Sequence, residues 1–309
     1  MRLIRTEDAV GHVLCHDMTQ IIPGVTKDAR FRKGHVVTEE DIPVLLSIGK
    51  EHLYVWEKTD GMLHEDEGAE RLCKIAQNEN MHPSEVKEGK IELIADVDGL
   101  FQVDVGRLYD VNSVDEIMIA TRHTNMAVRK GDKLAGMRVI PLVIDEKKLE
   151  EAEKAAGKEP LLKVTPWKLK TAGVITTGSE VYKGRIKDTF TPVIIDKLKE
   201  YDVEVVFHKL CPDDPDMVTS AIQEALDMHV DMVICTGGMS VDPDDKTPLA
   251  IKNTGANIIS YGSPVLPGAM FLLSYKGDTP IVGLPGCVMY AKRTVFDLVL
   301  PRLIANDPI

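Results

Sequence analysis

Residues 171–207 read TAGVITTGSEVYKGRIKDTFTPVIIDKLKEYDVEVVF. An apolar run from Ala172 ends in Gly178, which predicts a buried strand followed by a turn. Asp188 to Glu200 places Val193, Ile194 and Leu198 on one face at helical spacing, and Val203 to Phe207 reads as the next strand. The same pattern continues: Pro215 to His229 is helical, with Val218, Ala221, Ile222, Ala225 and Leu226 facing inward. Asp231 to Thr236 is then a strand closed by Gly237 and Gly238. Strands and helices alternating at this pitch predict βαβ units, a mostly parallel sheet and a three-layer α/β/α sandwich. Such sheets bind ligands beyond the carboxyl ends of their strands.

Upstream the pattern is less regular and predicts a β-rich α+β region. Residues 1–58 read as compact and strand-rich, with a turn at Ile21–Gly24. A short helix follows, capped by Thr38 and Gly49, and then a strand from Leu53 to Trp56. Residues 65–80 read as a helix with Ala69, Leu72, Cys73 and Ala76 on one face. Ile91–Ile94, Leu100–Val105 and Val139–Ile144 read as strands, and Asp115–Arg122 as a helix. Asp145–Lys158 reads as an exposed connecting helix ending at Gly157. Pro160 and Pro166 follow, which sets two domains, 1–160 and 161–309.

Composition bounds the function. Of 309 residues, 44% are hydrophobic and 28% charged, enough for a sizeable core. The net charge of −12 argues against nucleic acid as the main partner. It falls mostly on residues 1–160, with 22 basic and 31 acidic side chains, against 15 and 18 in residues 161–309. The second half can therefore host an anion locally, and Lys183, Arg185 and Lys187 form the obvious basic cluster. Five dispersed cysteines suit reduced thiols in a cytoplasm. No apolar run reaches the length of a membrane span, and the N-terminus shows no signal-peptide core.

Three glycine loops follow the buried strands: Thr176–Glu180, Thr236–Thr247 and Val282–Gly286. Glycine lets backbone N–H groups approach an oxyanion, and a following helix N-terminus favours negative charge. Glu180, Asp213 and Asp245 would repel a phosphate unless a hard cation lay between them, which points to a phosphorylated ligand with Mg²⁺. Glycine and aspartate also serve ordinary turns and caps. Gly173 and Gly178 have P-loop spacing, but Ser179-Glu180 stands where that loop carries Lys-Ser/Thr. His12 and His16, the His64-Glu65 pair and Cys287 lack the companions that a metal or nucleophile site requires.

Taken together, TGSE, KGRIKDT, the Pro212-Asp213-Asp214 turn and TGGMSVDPDDKT resemble the molybdopterin-binding domain family of molybdenum-cofactor biosynthesis. PVLPGAM and VGLPG resemble its molybdotransferase branch. The resemblance covers about Thr171–Leu303. It implies a small-molecule pterin ligand, molybdopterin or its adenylated form, with Mg²⁺ and molybdate as further reactants. It places the pterin-phosphate cradle on Thr236, Gly237, Gly238 and Ser240, with Gly178, Ser179, Pro267, Gly268, Pro285 and Gly286 as further cofactor-binding positions. Asp213, Asp245 and Glu180 become the catalytic acids, with Asp213 and Asp245 as Mg²⁺ ligands. It also implies a cytoplasmic transferase acting as a homo-oligomer, a dimer favoured, without nucleic-acid or membrane partners. Three features depart from the branch: Leu266 and Gly262 replace two lysines, Cys287-Val288 replaces Asn-Pro, and no counterpart of its C-terminal β-barrel follows Leu303. These departures keep a non-catalytic cofactor carrier or sensor open beside the molybdate-inserting enzyme. An adenylyltransferase, in which Asp213 and Asp245 would hold Mg-ATP, is disfavoured by Met239-Ser240, where that branch carries Thr-Gly.

Overall fold

The structure, a computed structural model, describes residues 2–22, 26–55, 61–240 and 246–309. The chain divides into two compact units. One comprises Met1–Asp96, Gln102–Thr124 and Lys130–Lys163; the other comprises Val97–Phe101, Asn125–Arg129 and Val164–Ile309.

In the first unit, strand Arg2–Arg5 pairs antiparallel with His52–Val55, and Met18–Ile22 with Thr26–Phe31. Leu14, Met18, Leu45 and Leu53 form the core beneath them. The expected turn at Pro23-Gly24 and the strand residue Trp56 lie outside the described residues. The short helix spans Asp41–Ser47. It starts later than the sequence suggests because Thr38 is not the acceptor: its N–H and hydroxyl both donate to the Asp41 carboxylate, each at 2.8 Å.

A four-stranded antiparallel sheet follows, ordered Met81–Pro83, Lys90–Ala95, Lys133–Val139, Ile117–Thr121. Helix Glu65–Ala76 buries Ala69, Leu72, Cys73 and Ala76, and Gly68 lets it approach the sheet. A Cβ on Gly68 would stand 2.8 Å from Val139 Cγ1. The expected helix over Asp115–Arg122 is instead the edge strand Ile117–Thr121. Ile117 and Ile119 point inward while Met118 and Ala120 are exposed, a period of two that pairs with Val139 and Met137. The expected strand Val139–Ile144 is two strands, one ending at Val139 and the next spanning Val143–Asp145. Pro141 lies between them and has no N–H for a ladder. Helix Glu146–Ala156 is capped by Asp145, and it is not merely exposed, because Leu149, Ala152 and Ala156 are buried.

The second unit carries the regular pattern. Its α/β sandwich is built from β1 (Thr171–Thr177), α1 (Phe190–Lys199), β2 (Glu204–Cys211), α2 (Pro215–Asp227), β3 (Met232–Thr236) and α3 (Thr247–Asn253). They continue with β4 (Asn257–Tyr261), β5 (Leu272–Lys276), β6 (Thr279–Leu284) and α4 (Val295–Ile304). The sheet order is β2-β1-β3-β6-β5-β4. The first four strands are parallel; β5 and β4 extend the sheet antiparallel. Alternate side chains feed two cores. Val174, Ile234 and Val282 pack with Ile194 of α1 and Phe296 of α4. Ile175, Val233 and Ile281 pack with Ile222 of α2 and Ile251 of α3. This is the expected three-layer α/β/α sandwich with a mostly parallel sheet. Gly173 permits the close seating of α2, since a Cβ there would lie 3.0 Å from Ala225 Cβ.

Candidate ligand-binding site

A cleft of about 280 Å³ opens beyond the carboxyl ends of the parallel strands. Its floor is Thr176 and Thr177, the last residues of β1. The chain leaves β1 through Gly178 at φ +146°, a conformation that other residues rarely adopt, and enters a single helical turn, Ser179–Tyr182. That turn is locked to the end of β2. The Gly178 N–H donates to the Cys211 carbonyl at 3.1 Å, and the Ser179 N–H donates to Asp213 Oδ2 at 2.8 Å. Asp213 thereby faces the cleft beside Glu180.

The opposite wall is the turn after β3. Gly237 and Gly238 have φ of +84° and +57°. Cβ atoms there would stand 2.4 Å from the Thr177 carbonyl oxygen and 2.8 Å from Thr247 Oγ1, respectively. The Thr177 hydroxyl donates to the Thr236 carbonyl at 3.1 Å, and the Thr247 hydroxyl to the Gly237 carbonyl at 2.8 Å. The two strand-end loops are therefore stitched together through threonines.

The third side is the start of α1. Asp188 Oδ1 accepts the N–H groups of Phe190 and Thr191, at 2.8 and 3.1 Å. Asp188, Lys187 and Met289 also line the cleft. Burial pushes the Cys211 and Cys235 thiols up, so both remain protonated packing groups.

The structure brings together Gly178, Glu180, Asp213, Gly237 and Gly238 around one cleft. Ser179 supports Asp213 from behind. Thr236 is fully buried, and its hydroxyl has no partner among the described residues. Ser240 is exposed, and Asp245 lies outside the described residues. Pro267 and Gly268 form a turn against the start of α4, where the Val295 N–H donates to the Pro267 carbonyl at 3.1 Å. Neither residue lines the cleft. Pro285 and Gly286 open the short 3₁₀ turn Gly286–Met289, and only its far end, Met289, reaches the cleft. Of the basic cluster, Lys187 lines the cleft while Lys183 and Arg185 are exposed. Thr176, Thr177 and Asp188 also line the cleft; sequence reading marked the segments that hold them but named none of the three as a site residue. Asp188 two and three residues before the first α1 N–H groups is a recognisable cap signal.

The donor set suits a hard cation only in part. Glu180 and Asp213 offer carboxylate oxygens on one side of the cleft. Among the described residues no group of three or more His, Cys, Asp or Glu is placed to hold a metal. A Mg²⁺ ion there would draw its remaining oxygens from a ligand phosphate and water, the usual arrangement for this ion.

Residues 173–305 match the model of a family described as "Probable molybdopterin binding domain". Residues 3–57 match a domain of unknown function, DUF8806. Among curated proteins, the chain is similar to a CinA-like protein of Mycobacterium avium, 36% identical over 76 residues, or 25% of this chain and 18% of that protein. A CinA-like protein of Mycolicibacterium gilvum is 37% identical over the same length and shares. The chain thus spans less than a fifth of the curated relatives it matches. Similar solved structures include the molybdopterin biosynthesis enzyme MoaB of Thermus thermophilus, at 24% identity and TM-score 0.39, covering 45% of this chain and 97% of that one. The protein CinA of Thermoplasma acidophilum, described as of unknown function, has 21% identity and TM-score 0.40, covering 44% and 99%.

Proposed function

Residues 173–305 of this chain belong to the molybdopterin-binding domain family, and from that premise we propose that the cleft beyond β1, β2 and β3 binds molybdopterin or its adenylated form. The observation that carries this reading is the Gly237–Gly238 turn, which packs so closely on Thr177 and Thr247 that neither position has room for a Cβ, so bare backbone lines the cleft there. The phosphate end of the ligand sits against that turn, with Lys187 as the nearby cation. Asp213 and Asp245, with Glu180 as a further carboxylate, would hold Mg²⁺, and the ion would supply the positive charge that lets a phosphate lie beside carboxylates. The protein positions the ligand for exchange of molybdate onto it.

A second reading, a cofactor carrier or sensor, has its own support. Leu266 is 83% exposed where the molybdotransferase branch carries a lysine, so this surface offers no cation to molybdate at that point. Calorimetric titration of the full chain with molybdopterin, with and without Mg²⁺ and followed by molybdate, separates the readings. Mg²⁺-dependent binding and formation of active cofactor support insertion. Tight binding without conversion supports the carrier, and no binding ends both. Asp245→Ala should abolish conversion if the chain is an insertase. Cytoplasmic location and a homodimer are part of the same proposal; light scattering of the purified chain checks the dimer.

A further inference from the structure

Thr247 grips the Gly237–Gly238 turn from behind. Its hydroxyl donates to the Gly237 carbonyl at 2.8 Å, and its N–H donates to the Gly238 carbonyl at 3.3 Å. The preceding peptide is held too, because the Thr177 hydroxyl donates to the Thr236 carbonyl at 3.1 Å. Each hydroxyl has one proton, so the 3.3 Å contact between the two hydroxyls has none left to compete. The Gly237–Gly238 peptide is trans, and in a trans peptide the C=O and the N–H point in opposite directions. With the Gly237 carbonyl turned to Thr247, the Gly238 N–H points away from Thr247. Thr247 is buried and does not line the cleft, whereas Gly238 is half-buried and lines it with backbone atoms alone. Both glycine carbonyls are taken, and the Gly238 N–H has no acceptor among the described residues. Unpaired N–H groups are rarely buried. The open side of Gly238 is the cleft, and its N–H faces there.

We propose that Thr247 is a positioning residue that sets the polarity of this wall, holding the Gly237–Gly238 peptide with its N–H toward the ligand so that the turn takes an oxyanion. This rests on the pterin reading and deepens it, since the oxyanion is then a phosphate oxygen of that ligand. The lock matters because of the residues it acts on. A peptide with glycine on both sides can rotate between two orientations at little steric cost. In the other orientation the Gly237 carbonyl would face the cleft, and an acceptor there repels an anion. The Thr247 hydroxyl removes that alternative by binding the carbonyl behind the turn. Among the described residues no other group donates to the Gly237 carbonyl.

The test uses the full chain and two soluble probes, 6-hydroxymethylpterin and its phosphate ester, at one fixed Mg²⁺ concentration. Calorimetry should show that the wild type prefers the ester. Thr247→Val should lower that preference by about tenfold, the effect of one hydrogen bond to a charged group, and Thr247→Ser should restore it. Affinity for the alcohol stays the same in all three proteins. A merely structural role for Thr247 would weaken both probes alike and leave their ratio unchanged. Amide NMR of the isotopically labelled wild type gives a second readout that needs no variant: the ester moves the Gly238 amide proton downfield and the alcohol does not. The inference is overturned if the wild type shows no preference for the ester, if the Gly238 amide ignores it, or if folded Thr247→Val keeps the wild-type ratio. Any of these results in a chain that binds molybdopterin leaves the pterin reading standing and removes the role of Thr247. A chain that binds no molybdopterin ends the pterin reading, and inorganic phosphate then decides the cradle. A Gly238 amide shift with phosphate supports the oxyanion site, and no shift overturns it.

Discussion

The backbone at Gly237 runs so close to Thr177 that a Cβ on Gly237 would stand 2.4 Å from the Thr177 carbonyl oxygen and 2.8 Å from its hydroxyl. Both are atoms that cannot swing away, since the hydroxyl is bonded to the Thr236 carbonyl. Gly237→Ala therefore combines a steric clash with a left-handed backbone at φ +84°. We expect a loss of stability on the order of 3 kcal/mol and loss of ligand binding. Gly184 is the control, because its φ is +66° but nothing lies within 4 Å of a Cβ. Gly184→Ala should cost only about 1 kcal/mol. Urea unfolding of both variants measures the difference; equal losses would mean that the loop at Gly237 rearranges freely.

Asp213 separates charge from structure. It accepts the Ser179 N–H at 2.8 Å, and an asparagine oxygen can take the same bond. Asp213→Asn should leave stability within about 0.5 kcal/mol of wild type. It should remove the gain in molybdopterin affinity that Mg²⁺ gives, while binding without Mg²⁺ is unchanged or tighter. An Asp213→Asn protein that still responds fully to Mg²⁺ would show that this carboxylate does not hold the ion.

The elements that sequence reading located well are those in which one segment carries its own signal. β1, α1, α2 and β3 each have an unbroken apolar run or a helical stripe, with glycine or proline at the boundary. Ile117–Thr121 failed because its identity is set from a distance. The pentapeptide Ile-Met-Ile-Ala-Thr fits a helix as well as a strand, and pairing with Lys133–Val139 decides between them. The site was legible to the same extent. Gly178, Gly237 and Gly238 stand out because only glycine meets their backbone demands. Thr176 and Asp188 do not, since threonine at a strand end and aspartate before a helix are ordinary, and only the fold shows that they share Thr191. Pro267 and Gly268 were expected at the ligand, and the structure gives them a turn against α4.

Arg71 joins two helices of the first unit, Glu65–Ala76 and Glu146–Ala156. Its Nε and Nη2 donate to the two Glu153 oxygens at 2.7 and 2.6 Å, and Nη1 to Glu146 at 3.1 Å. Glu153 and Glu146 are 36% and 44% exposed, so solvent screens much of the attraction. Arg71→Met should cost about 1 kcal/mol. Arg71→Lys keeps the charge but not the fork and should recover less than half of that. Full recovery by lysine in denaturant titrations would show that charge alone, and not paired geometry, holds the helices.

His64 gives the first unit a pH dependence with a definite sign. Its ring is buried, with Nε2 donating to the Cys15 carbonyl at 2.5 Å and Nδ1 accepting the Asp66 N–H at 3.2 Å. The Lys33 ammonium also lies 3.1 Å from Nδ1. A second ring proton would have to sit on Nδ1, facing these two donors, and the Asp66 carboxylate 3.4 Å away offsets only part of that cost. Burial, with Lys33 adding to it, accordingly holds the His64 pKa below its ordinary 6.5, and burial does the same to His16. The unfolded chain then binds more protons than the folded one as pH falls through that ordinary value, so stability declines on acidification. Glu65 opposes this at lower pH, since burial raises its pKa and favours the protonated folded form. His64→Asn retains a side chain able to cap the Asp66 N–H but cannot titrate. Urea unfolding at about pH 7.5 and 5.5 should show a smaller loss of stability for His64→Asn than for wild type, with His16 supplying what remains. An undiminished loss in the variant would assign the effect to His16 or to other groups, and would leave His64 with its capping role alone.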